Sequence, residues 1–403
     1  MTWAETAFPA SATRPGIGRK ASLLLVATLT IMAGTTISPA LPAIETAFAR
    51  VDGVKLLSRM MLTLPALFVA FCAPLIGGLA DRYGRLRLLV GSILLYGLAG
   101  ISGLFADSLM SLLVGRAALG VAIGGIMTLA TALVGDYFSG AERERYLGLQ
   151  QAFTGIGGVA FVAAGGLLAD YHWRAPFAVY AVAFAIIPAV VAFLTEPTRA
   201  VRVTQAPAPT GENAIRWLPV AALCLLAFLV NMIFYFIPSQ LPFYMRAVGI
   251  GAASSAGFTL GLHNLVMAGS ALAYGRLRSR LSVSTIFVIG LCLMTLGFVL
   301  ISFSTTMTSV LFAMAVAGAG LGLTIPNLIS AIIALTSPTT RGRLAGMVTA
   351  SMFIGHFTSP FASQPLIEAF GYQEAYLAAA SGLAVLAIIC AAIALKGDGG
   401  NRR

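Results

Sequence analysis

Twelve apolar runs decide what this chain can fold into. They fall at 21–44, 58–80, 88–106, 109–136, 146–169, 173–194, 217–245, 252–274, 283–303, 308–336, 343–367 and 373–395. Each has about the 20 residues a helix needs to cross a hydrocarbon core. Strands of a membrane barrel alternate over only about 10 residues, and these runs are too long and glycine-rich for that. Of 403 residues, 59% are hydrophobic and 10% charged. Soluble domains carry roughly 25% charged residues, so this much apolar surface implies lipid as the main solvent. The expectation is an all-α integral membrane protein with twelve transmembrane helices in two six-helix bundles.

The polar segments set the domain limits. A tail of residues 1–20 precedes a bundle at 21–194, a Pro-containing connection covers 195–216, a second bundle occupies 217–395, and 396–403 form a second tail. The first tail has no short apolar core followed by a small-residue cleavage site, so it reads as a cytoplasmic segment and not as a signal peptide.

Basic residues give the orientation, because Lys and Arg concentrate on the cytoplasmic side. With the N-terminus inside, 19 of the 25 basic residues fall in cytoplasmic segments and five outside, with Arg116 inside a span. Both termini are expected in the cytoplasm, in a cell inner membrane. The net charge of +11 then needs no nucleic acid. The 14 acids fall in loops, tails or span ends, among them Glu45, Asp136, Asp170 and Glu368. No cluster has metal-ligand spacing and no cofactor is expected. Cys72, Cys224, Cys292 and Cys390 stand alone in apolar runs and read as small buried hydrophobes. Gly318-Ala319-Gly320-Leu321-Gly322 has glycines like a nucleotide loop, but it lies in an apolar span without a following Lys-Ser/Thr pair.

The halves echo each other. Pro39-Ala40-Leu41-Pro42 ends the first run and Pro238-Ser239-Gln240-Leu241-Pro242 lies near the end of the seventh. Gly77-Gly78-Leu79-Ala80-Asp81-Arg82-Tyr83-Gly84-Arg85 follows the second run, and the fainter Gly275-Arg276-Leu277-Arg278-Ser279-Arg280 follows the eighth. Two blocks in one orientation are a parallel repeat about an axis along the membrane normal, which is a transporter architecture.

The loop at Gly77, Leu79, Ala80, Asp81, Arg82, Gly84 and Arg85 closely resembles the signature loop between the second and third helices of the major facilitator superfamily. The spans, central loop and repeat extend the resemblance over nearly the whole chain. Leu113 to Gly120, with Arg116, resembles the family's fourth-helix motif. Pro39–Pro42 resembles the first-helix ending of its twelve-helix drug:proton antiporter branch. That branch carries a Gly-Pro pair in its fifth helix. Here Gly157, Gly165, Gly166 and Leu168 fit, while Phe161-Val162 stand at the pair, and Pro360 appears instead in the eleventh run. The resemblance implies two bundles related by pseudo-two-fold symmetry. It also implies a gating loop, with Asp81 facing the start of the eleventh helix near Arg341–Arg343 and Arg85 facing Asp136. The loop's own physics allows a simpler role, an anchor at the anionic leaflet with Gly84 supplying a positive φ and Asp81 accepting from a helix N-terminus.

Three ionisable groups lie at depth. Arg116 is about seven residues into its span, and a charge there costs at least ~2.5 kcal/mol unless it meets protein or water. It reads as a cavity-facing cation or as a snorkelling side chain. His263 and His356 lie near the midplane, where coupling sites of such transporters sit. Their unperturbed pKa near 6.5 suits proton exchange, and each equally suits helix packing through a backbone carbonyl. Gln150, Gln151, Asn231, Tyr235, Asn264 and Asn327 add neutral polar groups that can line a cavity or join helices. Aromatic Phe234, Tyr235, Phe236 and Tyr244 suit an organic solute better than a metal ion.

The function expected is a secondary transporter working by alternating access as a monomer, with proton-coupled efflux of a small drug-like or metabolite solute. The alternative is an importer or facilitator of an organic anion drawn by Arg116. With a buried cation and no buried acid, neutral or anionic solutes should move better than permanent cations. An intramembrane enzyme would need a buried nucleophile–base or paired-acid set, and a receptor would not need gating loops.

Overall fold

The computed structural model describes residues 16–196, 217–335 and 340–400, and among these residues the regular structure is helical throughout. The central connection and both outermost tails of the expected domain scheme lie largely outside the described residues. The first half contains α1 (Ile17–Thr35), α2 (Leu41–Ala47), α3 (Val54–Tyr83), α4 (Arg85–Ile101), α5 (Leu109–Tyr137), α6 (Gly140–Tyr171) and α7 (Val182–Phe193). The second contains α8 (Trp217–Phe234), α9 (Phe236–Ala247), α10 (Ala253–Arg278), α11 (Val283–Ser302), α12 (Met307–Ala334) and α13 (Arg341–Gly400).

Among the described residues, eleven stretches are long and apolar enough to cross a membrane. The last, Gly342–Leu395, has 54 residues, far beyond the ~20 of one crossing. Gly371 breaks it with φ 85, so it supplies two crossings and the total is twelve. The expected limits hold to within a few residues. The largest shift is in the fifth span, where α6 begins at Gly140 and not at residue 146, and at the start α1 begins at Ile17 and not at residue 21. The polar residues there are satisfied inside the fold. Arg19 donates to the Phe193 carbonyl and Thr195, and Lys20 pairs with Glu142 at 2.8 Å.

Two spans are broken near one end, and proline accounts for both breaks. Proline has no N–H for the carbonyl four residues back. In the first half, Pro39 and Pro42 follow the interruption between α1 and α2. In the second, Pro238 cannot bond to the Phe234 carbonyl, and the α8–α9 break falls at Tyr235. Pro242 likewise leaves the Pro238 carbonyl free, and Ser38 of the opposite half donates its hydroxyl to it. The repeat seen in the sequence thus places matched irregular segments against each other across the halves. We call this the proline end, and the opposite one, where Gly84 turns the chain between α3 and α4, the arginine end.

Each half has its own apolar core. Leu29, Leu41, Ile93, Leu119, Ile126 and Phe177 belong to the first, and Leu241, Leu291, Phe298, Met314, Leu321 and Tyr376 to the second. The halves meet where α3 packs on α13 and α6 on α10. Small residues permit the second contact. A Cβ on Gly166 would lie 2.9 Å from the Ala253 carbonyl oxygen and 3.1 Å from the Gly257 Cα. Not every cysteine is buried as the sequence leads one to expect. Cys390 is, but Cys292 is exposed on its helix, where a bilayer serves as apolar solvent for a small thiol.

Candidate functional site

A cavity of about 180 Å³ lies between the halves. The first half contributes Thr30, Ile31, Gly34, Leu62, Pro65, Ala66, Val69, Ile123, Met127 and Thr154, and the second contributes Tyr235, Phe353 and His356. The two walls differ in chemistry. One is aliphatic and small, and the other is aromatic with hydrogen-bonding groups. No residue of this lining carries a fixed charge.

The polar wall is held from behind. His356 on α13 bonds through Nε2 to Asn231 Oδ1 on α8 at 3.0 Å, and Asn231 Nδ2 donates to the Ala227 carbonyl at 2.8 Å. Tyr235 stacks on the His356 ring, with centroids 4.1 Å apart and planes 22° apart. Phe353 meets the same imidazole edge-on at 5.6 Å. Imidazole, phenol and amide are therefore fixed in orientation before any solute arrives. The break at Tyr235 points its phenol across the cavity, where a Cβ on Gly34 would lie 3.1 Å from the hydroxyl.

The structure brings His356, Tyr235 and Asn231 together and separates the other candidates at depth. Arg116 is 1% exposed and does not line this cavity. It lies inside the first bundle, where Nη1 donates to the Tyr180 hydroxyl at 2.9 Å and the rings of Phe177 and Tyr180 flank the guanidinium at 4.9 and 5.0 Å. Ring quadrupoles attract a desolvated cation, so the charge rests on aromatic faces and neither snorkels nor meets the cavity. His263 is likewise buried inside the second bundle, its Nδ1 3.0 Å from the Met314 carbonyl oxygen. Its ring stacks on Phe234 at 5.8 Å, and Phe234 reaches His356 at 6.1 Å. Asn327 joins three helices, donating to the Val283 carbonyl at 2.8 Å and accepting from Tyr274 at 3.3 Å. Asn264 lies at the α6–α10 seam beside Gly158. Gln150 is half-buried and Gln151 exposed on α6.

At the arginine end, Gly84 adopts φ 90, a region that favours glycine. Arg85 pairs with Asp136 at the end of α5, and its Nη1 also donates to the Ala132 carbonyl at 3.3 Å. Glu196, which the sequence reading passed over, accepts from the backbone N–H of Arg85 at 2.7 Å and of Leu86 at 2.8 Å. It thus caps α4. A carboxylate there complements the positive end of the helix dipole. Gly77 faces Thr128 of α5, and Arg82 is exposed and lies against the ring of Tyr83. The side chains of Asp81 and Arg341, and hence the contact expected between that acid and the start of α13, lie outside what is described.

The proline end holds what the sequence did not reveal. Arg59 reads as a loop-side cation, yet it is 2% exposed. Its guanidinium pairs with Glu45 of α2, donates to Gln240 of α9 at 3.2 Å, and lies over the Phe243 ring at 3.5 Å. Nothing in an Arg next to an apolar run distinguishes this from an interfacial anchor.

The comparisons with known proteins agree with this architecture. The chain is 26% identical over 341 residues to "Tetracycline resistance protein, class C" of Escherichia coli, covering 80% of this chain and 83% of that protein. It is 25% identical over 337 residues to "Multidrug resistance protein MdtG" of Escherichia fergusonii, covering 82% of each. Among solved structures, a bacterial homolog of the human lysosomal transporter Spinster superposes with a TM-score of 0.80 at 17% identity, covering 94% of this chain and 97% of that one. A D-xylose-proton symporter superposes at 0.77 with 14% identity, covering 93% and 96%. The family model described as Major Facilitator Superfamily matches residues 23–286 and again 223–402, so the chain belongs to that superfamily of secondary transporters.

Proposed function

We propose that this transporter is a proton-coupled exporter of small aromatic solutes without net charge, working as a monomer in a cell inner membrane with both termini in the cytoplasm. The orientation rests on the excess of Lys and Arg at the arginine end and tails. The direction of transport rests on the relatives named for tetracycline and multidrug resistance. The solute class rests on the cavity between the halves, where an aliphatic wall faces Tyr235, Phe353 and His356 without a fixed charge. A ring can stack there, and one polar group can reach imidazole or phenol. A permanent cation would lose its hydration with no counter-ion in the lining, which is costly.

Of the two histidines near the midplane, we assign proton exchange to His356. It lines the cavity, whereas His263 is held on a carbonyl inside its bundle. Its Asn231 partner can accept from a protonated or neutral ring, so the bond survives the proton's departure. The test uses purified protein in proteoliposomes with an imposed pH gradient and tetracycline as the fluorescent probe. The probe should accumulate against the direction of proton flow. Replacing His356 with Gln should abolish gradient-driven accumulation and leave downhill exchange. Accumulation in wild type that survives collapse of the gradient overturns proton coupling. Full accumulation by His356→Gln overturns the assignment of the proton.

A further inference from the structure

The proline end carries a polar circuit that begins and ends on one face of α3. Arg59 donates through Nε to Gln240 Oε1 at 3.2 Å. Gln240 Nε2 donates to Ser363 at 2.9 Å and to Gln364 Oε1 at 3.3 Å. Gln364 Nε2 donates to Glu368 at 2.9 Å, and Glu368 lies 3.9 Å from the Lys55 ammonium. Lys55 and Arg59 are four residues apart and so share a helix face. The circuit thus leaves the first half, crosses α9 and α13, and returns. Glu45 supplies the charge that lets Arg59 sit there. It pairs with the guanidinium, which also donates to the Lys55 carbonyl at 2.7 Å and to Ser58 at 3.1 Å.

The two ends of that ion pair differ in access. The Arg59 side chain is 3% exposed and that of Glu45 is 25% exposed. A cavity of about 460 Å³, lined by Asp52, Lys55, Gln364 and Glu368 among others but not by the pair itself, opens at this end. Water, and with it protons, can reach the acid from the side that the proposed orientation makes external. The other charged and titratable groups around Glu45 are Lys55 on α3, Arg246 on α9, which donates to the Pro42 carbonyl and Thr46, and Glu368 and Tyr372 on α13. Arg59 pairs with Glu45 and also bonds across to the second half.

We infer that Glu45 and Arg59 form a proton-releasable clasp on the external seam, in which a proton taken up by Glu45 from outside frees Arg59 and opens the seam. The physical sequence is short. A proton on a Glu45 oxygen cancels the carboxylate. Arg59 then keeps the Phe243 ring but loses its charged partner, and removing one member of a buried ion pair is strongly destabilising. The guanidinium leaves for water, Gln240 loses its donor, and the circuit to α13 opens. The inference rests on the proposed orientation and adds to that reading. The Glu45 proton gates the seam, whereas the transported proton goes to His356.

The test measures the seam without adding solute. Spin labels at Ala49→Cys and Thr305→Cys, in the full chain with its four native cysteines replaced, report the distance between the halves in lipid nanodiscs. The short distance should dominate at about pH 8, and acidification to about pH 4, within the ordinary carboxylate range, should raise the longer one relative to it by roughly threefold. The Glu45→Gln variant should show the long distance at both pH values, and Glu368→Gln should keep the pH response. Should Glu45→Gln fail to purify as a monodisperse species, Arg59→Gln is expected to give the same pH-independent opening. A wild type that does not respond to pH, or a Glu45→Gln or Arg59→Gln variant that keeps the wild-type response, overturns the clasp. Failure of tetracycline to move in proteoliposomes would overturn the proposed solute and leave this distance measurement standing.

Discussion

The two ends of the molecule are tied in different ways. At the proline end the polar contacts cross between the halves. Ser38 donates to the Pro238 carbonyl, Arg246 to the Pro42 carbonyl and Thr46, and Arg59 to Gln240, while Asp170 accepts from the first backbone N–H groups of α10. At the arginine end the contacts of Lys20, Arg85 and Glu196 stay inside the first half. Among the described side chains, Arg85 of the signature loop braces one bundle, and the seam at the other end is held shut by Arg59, Arg246 and Ser38 bonding to the two proline segments. In a two-state carrier the contacts that cross between the halves set the balance, and contacts within one half shift it only if they change between states.

The strongest way to break this comparison is to wedge the seam. A Cβ on Gly166 already crowds the Ala253 carbonyl and the Gly257 Cα, both backbone atoms that cannot swing aside. Gly166→Leu should keep the proline end from closing and lower transport by more than about tenfold, since a carrier must visit both states. Because the group faces a seam and not a bundle core, the protein should still purify folded. Labels at Ala49→Cys and Thr305→Cys would then show the long distance. A short distance with normal transport would mean that α6 and α10 do not meet here during the cycle.

A milder test sharpens the other end. Arg85 and Asp136 are each roughly one-third exposed, and pairs of that kind are worth up to about 1 kcal/mol. Arg85→Ala and Asp136→Ala should therefore be non-additive in thermal stability, with a coupling of about that size. They should lower transport several-fold without changing the spin-label distance at the proline end. Additive losses would show that the two groups do not interact in the membrane. A lengthened distance would show that the loop acts across the halves.

The same contrast explains what could be read in the sequence. Helix number, span limits and the repeat were legible because hydropathy over about 20 residues and proline positions are one-dimensional signals. The pairing of Arg85 with Asp136 followed from the resemblance, and the structure makes that contact. Two things were not legible. Arg59 and Glu45 lie at span ends, where the positive-inside rule reads any Arg as an anchor, and their burial arises only when Gln240 and Phe243 arrive from the other half. Depth along a helix also says nothing about which way a residue faces. Arg116, His263 and Asn327 lie within spans as His356 does, yet packing turns three of them into bundle interiors and one into the cavity.

Arg116 gives the smallest expected effect on transport and the clearest test of that last distinction. The sequence led to a cation facing the solute, and hence to anion preference lost on its removal. The structure seats it between Phe177 and Tyr180, away from the lining of the cavity. A cation desolvated against aromatic faces is worth about 2 kcal/mol, and truncating a buried side chain adds a packing loss, so Arg116→Ala should lower the melting temperature measurably. Arg116→Met keeps most of the volume and should lower it less. In both variants the ratio of transport between matched anionic and neutral analogues should stay within about twofold of wild type, since no interaction with the solute has been removed and the ratio reports only differences between solutes. A selective loss of the anion in Arg116→Met, whose fold is the better preserved, would return Arg116 to the solute path. It would also mean that the α5 face carrying it turns toward the cavity in another state of the cycle.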